Sequence, residues 1–295
     1  MTQMNITERA MLVSLSISRW TARKLDKRVT REVAERHGAA ESVGRYSKKL
    51  IGSDALAEIA RIAGEAREYH YRMTLPWQDS CDRILPSAVY LDYTKEHRRL
   101  RAEFEKAVGE FLRDYSKLRE EARVALNGLY RDDDYPSPKR LAAMFRYGVG
   151  VMPLPAAADF RVGLDSDEVE RVREDIEARC NEAFEAATRD LWTRIAEVVG
   201  HLSERLKLYQ VDATTGRVSN PFKDSTVENL RSLVDLLPRL NVTGSSELDA
   251  MTRRLRESLC AVEPATLRTD EATRVATAKT ADDILAEMAS YIGGE

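Results

Sequence analysis

The sequence predicts a mainly α protein: a long antiparallel helical hairpin with a small antiparallel β-sheet and a C-terminal helical bundle. Two segments with helical periodicity carry this prediction, about Asp92–Tyr130 and about Ser166–Leu208. At 1.5 Å per residue each would form a helix roughly 60 Å long, and the matched lengths favour pairing. In the first segment the apolar spacing alternates between four and three, an unbroken heptad pattern typical of a coiled coil. Its residues are Phe104, Val108, Phe111, Tyr115, Leu118, Ala122, Ala125 and Leu129.

The second long segment has a different apolar rhythm. Its spacing is mostly 3-4-4, which averages nearer to roughly 3.67 residues per turn than to the heptad value. A helix of this kind does not supercoil uniformly with a heptad helix. We therefore expect a hairpin with imperfect register that also packs on other helices. The residues are Val169, Val172, Ile176, Cys180, Ala183, Ala187, Leu191 and Val198.

The N-terminal region predicts a strand followed by helices. Apolar residues alternate with serines over Val13–Ser18, the period-two pattern of a strand with one solvated face. After Trp20 the apolar spacing becomes helical over Leu25–Val33, and Gly38 stands where such a helix would end. A further helix is predicted from Ser53 to about Tyr71.

A small β element is predicted between the long helices, at 145–162. Arg146–Met152 and Phe160–Val162 predict two short strands joined by a Pro/Ala loop. We expect them to pair with the N-terminal strand in an antiparallel sheet. Gly148 and Gly150 would allow a bulge or a close backbone approach.

Proline and glycine punctuate the remaining segments. The connection from Pro76 to Pro86 is predicted to be irregular, and 211–218 to be a β-hairpin or exposed loop. Ser245 or Ser246 is placed to cap a helix. Short helices are predicted at about 225–237, 246–261 and 267–291. Three regions follow: 1–91 with the strand and helices, 92–210 with the hairpin and its β element at 145–162, and 211–295 with short helices packing on the hairpin.

Composition excludes several classes of protein. The net charge is −3 and the pI about 6.0, which disfavours a globally basic nucleic-acid binder. Cys81, Cys180 and Cys260 are far apart and odd in number, which favours free thiols in a reducing compartment. The N-terminus lacks a signal-peptide pattern, and no apolar run approaches the ~18 residues of a spanning helix. A soluble protein in the cytoplasm of a bacterial host cell is therefore expected, without a membrane partner.

No catalytic, cofactor or metal motif rises above background. His37, His70, His97 and His201 lack partners at metal-ligand spacing, and the P-loop, the GxSxG elbow and a full dinucleotide fingerprint are absent. The carboxylates of Asp132–Asp134 suit a divalent cation in principle, but a solvated turn is favoured. The sequence therefore predicts a protein that is not an enzyme and holds no cofactor.

A basic stripe near the N-terminus is the strongest electrostatic feature. On a helix, Arg23, Lys27 and Arg31 would repeat every four residues and share one face. Such a face would suit phosphates or an acidic protein surface. The alternative is a solvated face neutralised by the chain's own carboxylates, such as those of 165–177. The candidate basic face comprises Arg19, Arg23, Lys24, Lys27, Arg28 and Arg31, and the candidate contacts at the hairpin tip are Phe145, Tyr147 and Met152.

The order of landmarks resembles a phage-associated family, the domain-of-unknown-function family 3150. The similar pieces cover nearly the whole chain: LVSLSISRWTARKLDKRV, SKKLIG, MFRYGVGVMPLPAAADFRV, FKDSTVENLRSLVDLLPRLN and LRTDEATRVATAKTADDILAEM. The resemblance implies a phage or prophage origin and genes that often neighbour AAA+ ATPases of the MoxR and cobaltochelatase type. It implies no catalytic residues.

Three functional hypotheses follow. The first is a phage protein that acts by protein–protein contact, as an oligomer or as the partner of an AAA+ ATPase. The second is a nucleic-acid-binding accessory protein for phage replication or recombination, and its evidence is the basic stripe. The third is an inhibitor of a host defence system, for which no residue can be singled out.

Overall fold

The computed structural model describes residues 6–78, 81–157, 166–212 and 214–293. Helices make up 68% of the structure, so the predicted mainly α class is confirmed. The helices are α1 Ile6–Arg9, α2 Lys27–Arg36, α3 Ala57–Met73, α4 Tyr90–Leu126, α5 Pro138–Ala142, α6 Ser166–Leu208, α7 Ser225–Leu240, α8 Ser246–Ser258, α9 Pro264–Thr269 and α10 Glu271–Ile292. The strands are β1 Ala10–Ser18, β2 Arg23–Leu25, β3 Ser47–Lys49, β4 Leu75–Pro76, β5 Asp82–Pro86, β6 Arg146–Pro153, β7 Gln210–Val211 and β8 Val218–Ser219.

The main sheet has four antiparallel strands in the order β4-β5-β1-β6. The predicted pairing of the N-terminal strand with the strand at 146–152 is confirmed. An added Cβ on Gly150 would lie 2.7 Å from Ser14 Oγ, so the expected close approach is confirmed as well. The second predicted strand, Phe160–Val162, lies outside the described residues.

The irregular connection predicted between Pro76 and Pro86 is wrong, because β4 and β5 lie there and pair in antiparallel register. The prolines do not interrupt them. Pro76 ends the edge strand of the sheet, and Pro86 is the last residue of its strand, positions where a missing N–H costs little.

The chain forms two compact units, each assembled from several segments. Unit 1 contains the described residues of Met1–Val13, Met73–Leu91 and Val151–Glu295. Unit 2 consists of Ser14–Arg72 and Asp92–Gly150. The three consecutive regions expected from the sequence, 1–91, 92–210 and 211–295, stay a prediction.

In unit 2, residues of the heptad pattern of α4 lie at the centre of a hydrophobic core. Phe104, Phe111 and Tyr115 are buried and cluster with apolar residues of α3, α5 and β6. Trp20, after β1, packs its ring on Phe111 and Tyr115 with centroids 6.2 and 6.0 Å apart. The further members of this core include Ile59, Ile62, Leu100, Leu141, Phe145 and Tyr147.

In unit 1, α10 packs along α6. Small residues on α10, Ala278 and Ala281, are buried, and the ring of Trp192 stacks on Tyr291 at 4.4 Å. Each predicted long helix is thus present and finds a partner within its own unit: α10 for α6, and α3 with its neighbours for α4.

The C-terminal elements follow the predictions closely. The hairpin at 211–218 is confirmed as β7 and β8. Ser245 caps α8, since its Oγ accepts a hydrogen bond from the Leu248 N–H at 3.2 Å. The last predicted helix is divided into α9 and α10, because Asp270 caps a new helix at that point.

Candidate interaction surface

Unit 2 carries a strongly basic segment, residues 19–49. It holds ten Lys and Arg residues against four Asp and Glu residues, a net charge of +6 in a chain of net charge −3. The segment contains β2, α2, β3 and the connections between them. Because so many like charges repel one another, their placement decides what the segment does.

The predicted helical face of Arg23, Lys27 and Arg31 is not formed, because Arg23 lies in β2 and α2 begins only at Lys27. Asp26 causes the difference. Its backbone is extended, and its Oδ1 accepts a hydrogen bond from the Val29 N–H at 3.2 Å, so it is the N-cap of α2. The stripe is thereby split between a strand and a helix.

One cation of the segment, Lys48, is neutralised inside the protein. Its Nζ lies 3.1 Å from Asp26 Oδ2 and 2.6 Å from Asp134 Oδ2, and donates to the Leu129 carbonyl at 2.7 Å. The Lys48 side chain is 2% exposed. The Val29 N–H and the Lys48 ammonium lower the pKa of Asp26 below its usual value, against the opposing effect of burial.

Other cations of the segment face solvent without a carboxylate. Within the described part of the chain, no ion pair is formed by Arg19, Arg23, Lys27, Arg28 or Lys49, all of which are exposed. Two predicted members of the basic face do have partners. Lys24 Nζ lies 3.9 Å from Asp134 Oδ1, and Arg31 Nε donates to Glu41 Oε1 at 3.0 Å.

An apolar groove lies in the same basic segment, between α2 and residues 39–46, and Arg45 is among its lining residues. Its volume is about 230 Å³. Val33 of α2 and Val43 and Tyr46 of the facing wall line it and are 49%, 75% and 37% exposed, so these apolar side chains are open to solvent. Thr30 joins the two walls, since its hydroxyl donates to the Asp26 carbonyl and accepts from the Tyr46 N–H.

The candidate hairpin-tip residues are placed unevenly. Phe145 and Tyr147 are buried in the core of unit 2, where the Tyr147 hydroxyl lies 2.6 Å from His97 Nδ1. Met152 is 46% exposed at the end of β6, next to the equally exposed Val151. Among the three, only Met152 is available for an external contact.

A buried cluster of histidine and tyrosine lies within unit 2. His70 Nδ1 is 2.7 Å from the Tyr93 hydroxyl, and the Tyr93 and His97 rings lie 4.3 Å apart. None of the described residues forms a hydrogen bond with the Nε2 atom of His97. Burial lowers the pKa of His97 to about 4 and raises the pKa values of Tyr93 and Tyr147. These groups are therefore neutral near pH 7 and form a polar part of the core.

The acidic turn 132–134 is occupied by the protein's own cations. Asp132 accepts hydrogen bonds from Arg119 at 2.7 Å and Arg123 at 3.3 Å, and Asp134 pairs with Lys48. Hydrogen bonds from Arg119 and Tyr130 lower the pKa of Asp132. The described residues contain no group of three His, Cys, Asp or Glu side chains arranged to hold a metal ion.

Comparisons with protein-family models, curated proteins and solved structures find no match for this chain. Within the part that the structure describes, every helix is too short or too polar to span a bilayer. Function is therefore inferred from the residues themselves.

Sequence reasoning missed the roles of Lys48, Lys49 and Asp134. The first two stand next to each other in Ser47-Lys48-Lys49, and strand alternation sends them to opposite faces. The sequence signal was the pair of lysines itself, but alternation separates two side chains only in a strand, and a strand of three residues has no apolar pattern that predicts it.

Proposed function

We infer that this protein is a non-catalytic binding protein whose basic segment docks an acidic, amphipathic segment of a protein partner. The observation that carries this proposal is the open groove beside α2, where exposed apolar side chains lie next to Arg45, a cation that forms no ion pair within the described residues. An apolar groove accepts the apolar face of a peptide, and charges at the rim select its polar face.

The partner is proposed to be acidic because of charge complementarity. Lys27 and Arg28 lie on the exposed first turn of α2, and Arg45 lines the groove. The resemblance to family 3150 adds a candidate class of partner, an AAA+ ATPase. A second copy of this chain is the other candidate, since the exposed start of α6 carries several carboxylates.

Capture followed by reconstitution tests the proposal. Tagged wild-type protein, Val33→Glu and Val124→Glu are used to retain proteins from a bacterial lysate, and any acidic protein retained is then purified and titrated by calorimetry. Val124 is the matched control, because it is 77% exposed on α4 of the same unit. We expect Val33→Glu to weaken binding at least tenfold, roughly 1.4 kcal/mol or more, and Val124→Glu to leave binding unchanged.

Two results would overturn the proposal. One is a purified partner that binds wild type and Val33→Glu equally. The other is a strictly monomeric protein by light scattering that also binds no acidic protein under any of these conditions.

Nucleic-acid binding is a second candidate, and the observation in its favour is the set of exposed cations in the basic segment. Single-stranded nucleic acid also needs exposed aromatic rings for base stacking; Trp20 is packed on Phe111 and Tyr115, whereas Tyr46 is 37% exposed. Charge reversal at Arg23, Lys27 and Arg28 should abolish binding in a mobility-shift assay, and wild-type binding should fall steeply with salt. Absence of a shift at low salt would remove this candidate.

A further inference from the structure

A second concavity of unit 2 is lined by cations. It has a volume of about 350 Å³ and lies between the loop after β1, the β2–β3 sheet and the start of α3. Arg19, Arg23 and Lys49 line it, and the described lining residues include no carboxylate. The remaining lining residues are Thr21, Ala22, Ile51, Gly52, Leu56, Ala57 and Ala60.

The β2–β3 register makes this concentration of charge informative. Arg23 lies directly opposite Lys49, and Lys24 directly opposite Lys48. Like charges in such cross-strand positions repel each other and destabilise a sheet. The pair Lys24 and Lys48 is compensated by Asp26 and Asp134.

The pair Arg23 and Lys49 has no such compensation within the described residues, and Arg19 adds a third positive charge to the same concavity. Three acidic residues close to the lining in sequence do not line it: Asp26 pairs with Lys48, Asp54 lies in the turn before α3, and Glu58 pairs with Arg61. An anion supplied from solution would remove the repulsion.

The rest of the lining suits a compact oxyanion. Gly52, Ala57 and Ala60 have little or no side chain, so they leave room beside the cations. Thr21 brings a hydroxyl that can donate to an oxygen atom. Arginine adds the planar pair of N–H groups that matches two oxygens of a phosphate.

A pocket of unit 1 provides the contrast. It is lined by Arg268 and Arg274, but Glu271 lines it too. There Arg268 pairs with Asp224, and Arg274 donates to the Leu267 carbonyl while its guanidinium lies over the Tyr209 ring. Both arginines therefore already have partners within the protein.

The geometry points to a binding site for a phosphate-type oxyanion in the unit 2 concavity, with Arg19, Arg23 and Lys49 as its charged ligands and Thr21 as a hydroxyl donor. This site is separate from the groove beside α2. Its ligand is a small phosphate compound such as a diphosphate, because the three cations converge on one concavity instead of following a line along the surface.

Calorimetric titration with inorganic pyrophosphate tests the site. The variants are Arg23→Gln/Lys49→Gln, which removes two charges from the concavity, and Lys27→Gln/Arg28→Gln, which removes two exposed charges of the same segment outside it. We expect the first to lose at least tenfold in affinity and the second to change by less than threefold. Circular dichroism of each variant verifies that it is folded.

A short single-stranded oligonucleotide serves as the second probe. Stronger binding of the oligonucleotide than of pyrophosphate, with equal losses in both double variants, would overturn the proposal in favour of a general polyanion surface. No heat of binding with pyrophosphate for the folded wild type would also overturn it. Val33→Glu should leave the affinity for pyrophosphate unchanged. The proposed oxyanion site and the proposed docking groove are therefore tested independently.

Discussion

Lys48 and Lys49 are neighbours in β3 and lie on opposite faces of a two-stranded sheet. Lys48 is 2% exposed and contacts two carboxylates, whereas Lys49 is exposed and contacts none within the described residues. Each stands opposite a cation of β2. The difference shows that the fold neutralises one cross-strand pair of like charges and leaves the other for solvent or a ligand.

Replacement of Lys48 should have the largest effect. Lys48→Met removes the ammonium that lies against the buried Asp26 and the half-buried Asp134, and we expect unit 2 to lose roughly 3–5 kcal/mol of stability. Urea unfolding followed by ¹⁹F signals of 5-fluorotryptophan measures this, because Trp20 reports on unit 2 and Trp77 and Trp192 on unit 1. A loss below about 1 kcal/mol would contradict a structural role for the ion pairs.

Acidification tests His97, a buried group that forms no ion pair with any of the described residues. His97 has a folded-state pKa of about 4, below the usual value of 6.5, so the unfolded chain binds more protons between these pH values. The stability of unit 2 should therefore fall by about 3 kcal/mol as the pH is lowered from 6.5 to 4. His97→Gln should flatten this dependence, whereas His37→Asn, which removes an exposed imidazole, should not.

Asp26→Asn separates the charge of Asp26 from its cap. Asparagine also caps helices, so α2 keeps its hydrogen bond from Val29 while Lys48 loses one of its two carboxylates. We expect a loss of about 2 kcal/mol near pH 7.

The pH dependence gives this variant a second readout. The pKa of Asp26 is lowered, so its stabilising contribution is complete above the unfolded value of 3.8 and disappears as the pH falls through the lower folded value. The difference in the free energy of unfolding between wild type and Asp26→Asn should therefore become smaller as the pH is lowered. A stability difference that stays constant with pH would show that the charge of Asp26 does not stabilise the protein.

Replacement of Lys49 should have the smallest effect on stability. Lys49→Met removes an exposed charge opposite Arg23, and we expect a change within about 0.5 kcal/mol, towards higher stability if the cross-strand repulsion is felt. The same urea experiment measures it. A loss of stability as large as that of Lys48→Met would contradict the proposed difference between the two lysines.

Regular periodicity was the part of the fold that the sequence predicted well. The long helices, β1, its pairing with β6 and the C-terminal helices followed from repeated apolar spacing and punctuation. The partners of the long helices could not be predicted in this way. A heptad pattern such as Phe104–Tyr115 predicts that one face of the helix is buried, but it does not identify the residues that pack on that face. Residues of α3, α5 and β6, far apart in sequence, share that role.

For the candidate surface, only the excess of basic residues could be predicted from the sequence. The excess of Arg and Lys was visible, but its division was not, since the cap at Asp26 breaks the expected helix and the buried partner of Lys48, Asp134, lies 86 positions away. Long-range ion pairs of this kind leave no local pattern in a single sequence.

One measurement tests the division of the basic segment most directly: the unfolding midpoint of unit 2 as a function of pyrophosphate concentration, for wild type and Lys49→Met. A ligand that binds only the folded state raises the midpoint with concentration. We predict that the two proteins unfold at nearly the same midpoint without ligand, and that added pyrophosphate raises the wild-type midpoint more than the Lys49→Met midpoint at every concentration. Equal rises in both proteins, or a Lys49→Met protein that is several kcal/mol less stable before any ligand is added, would contradict the account.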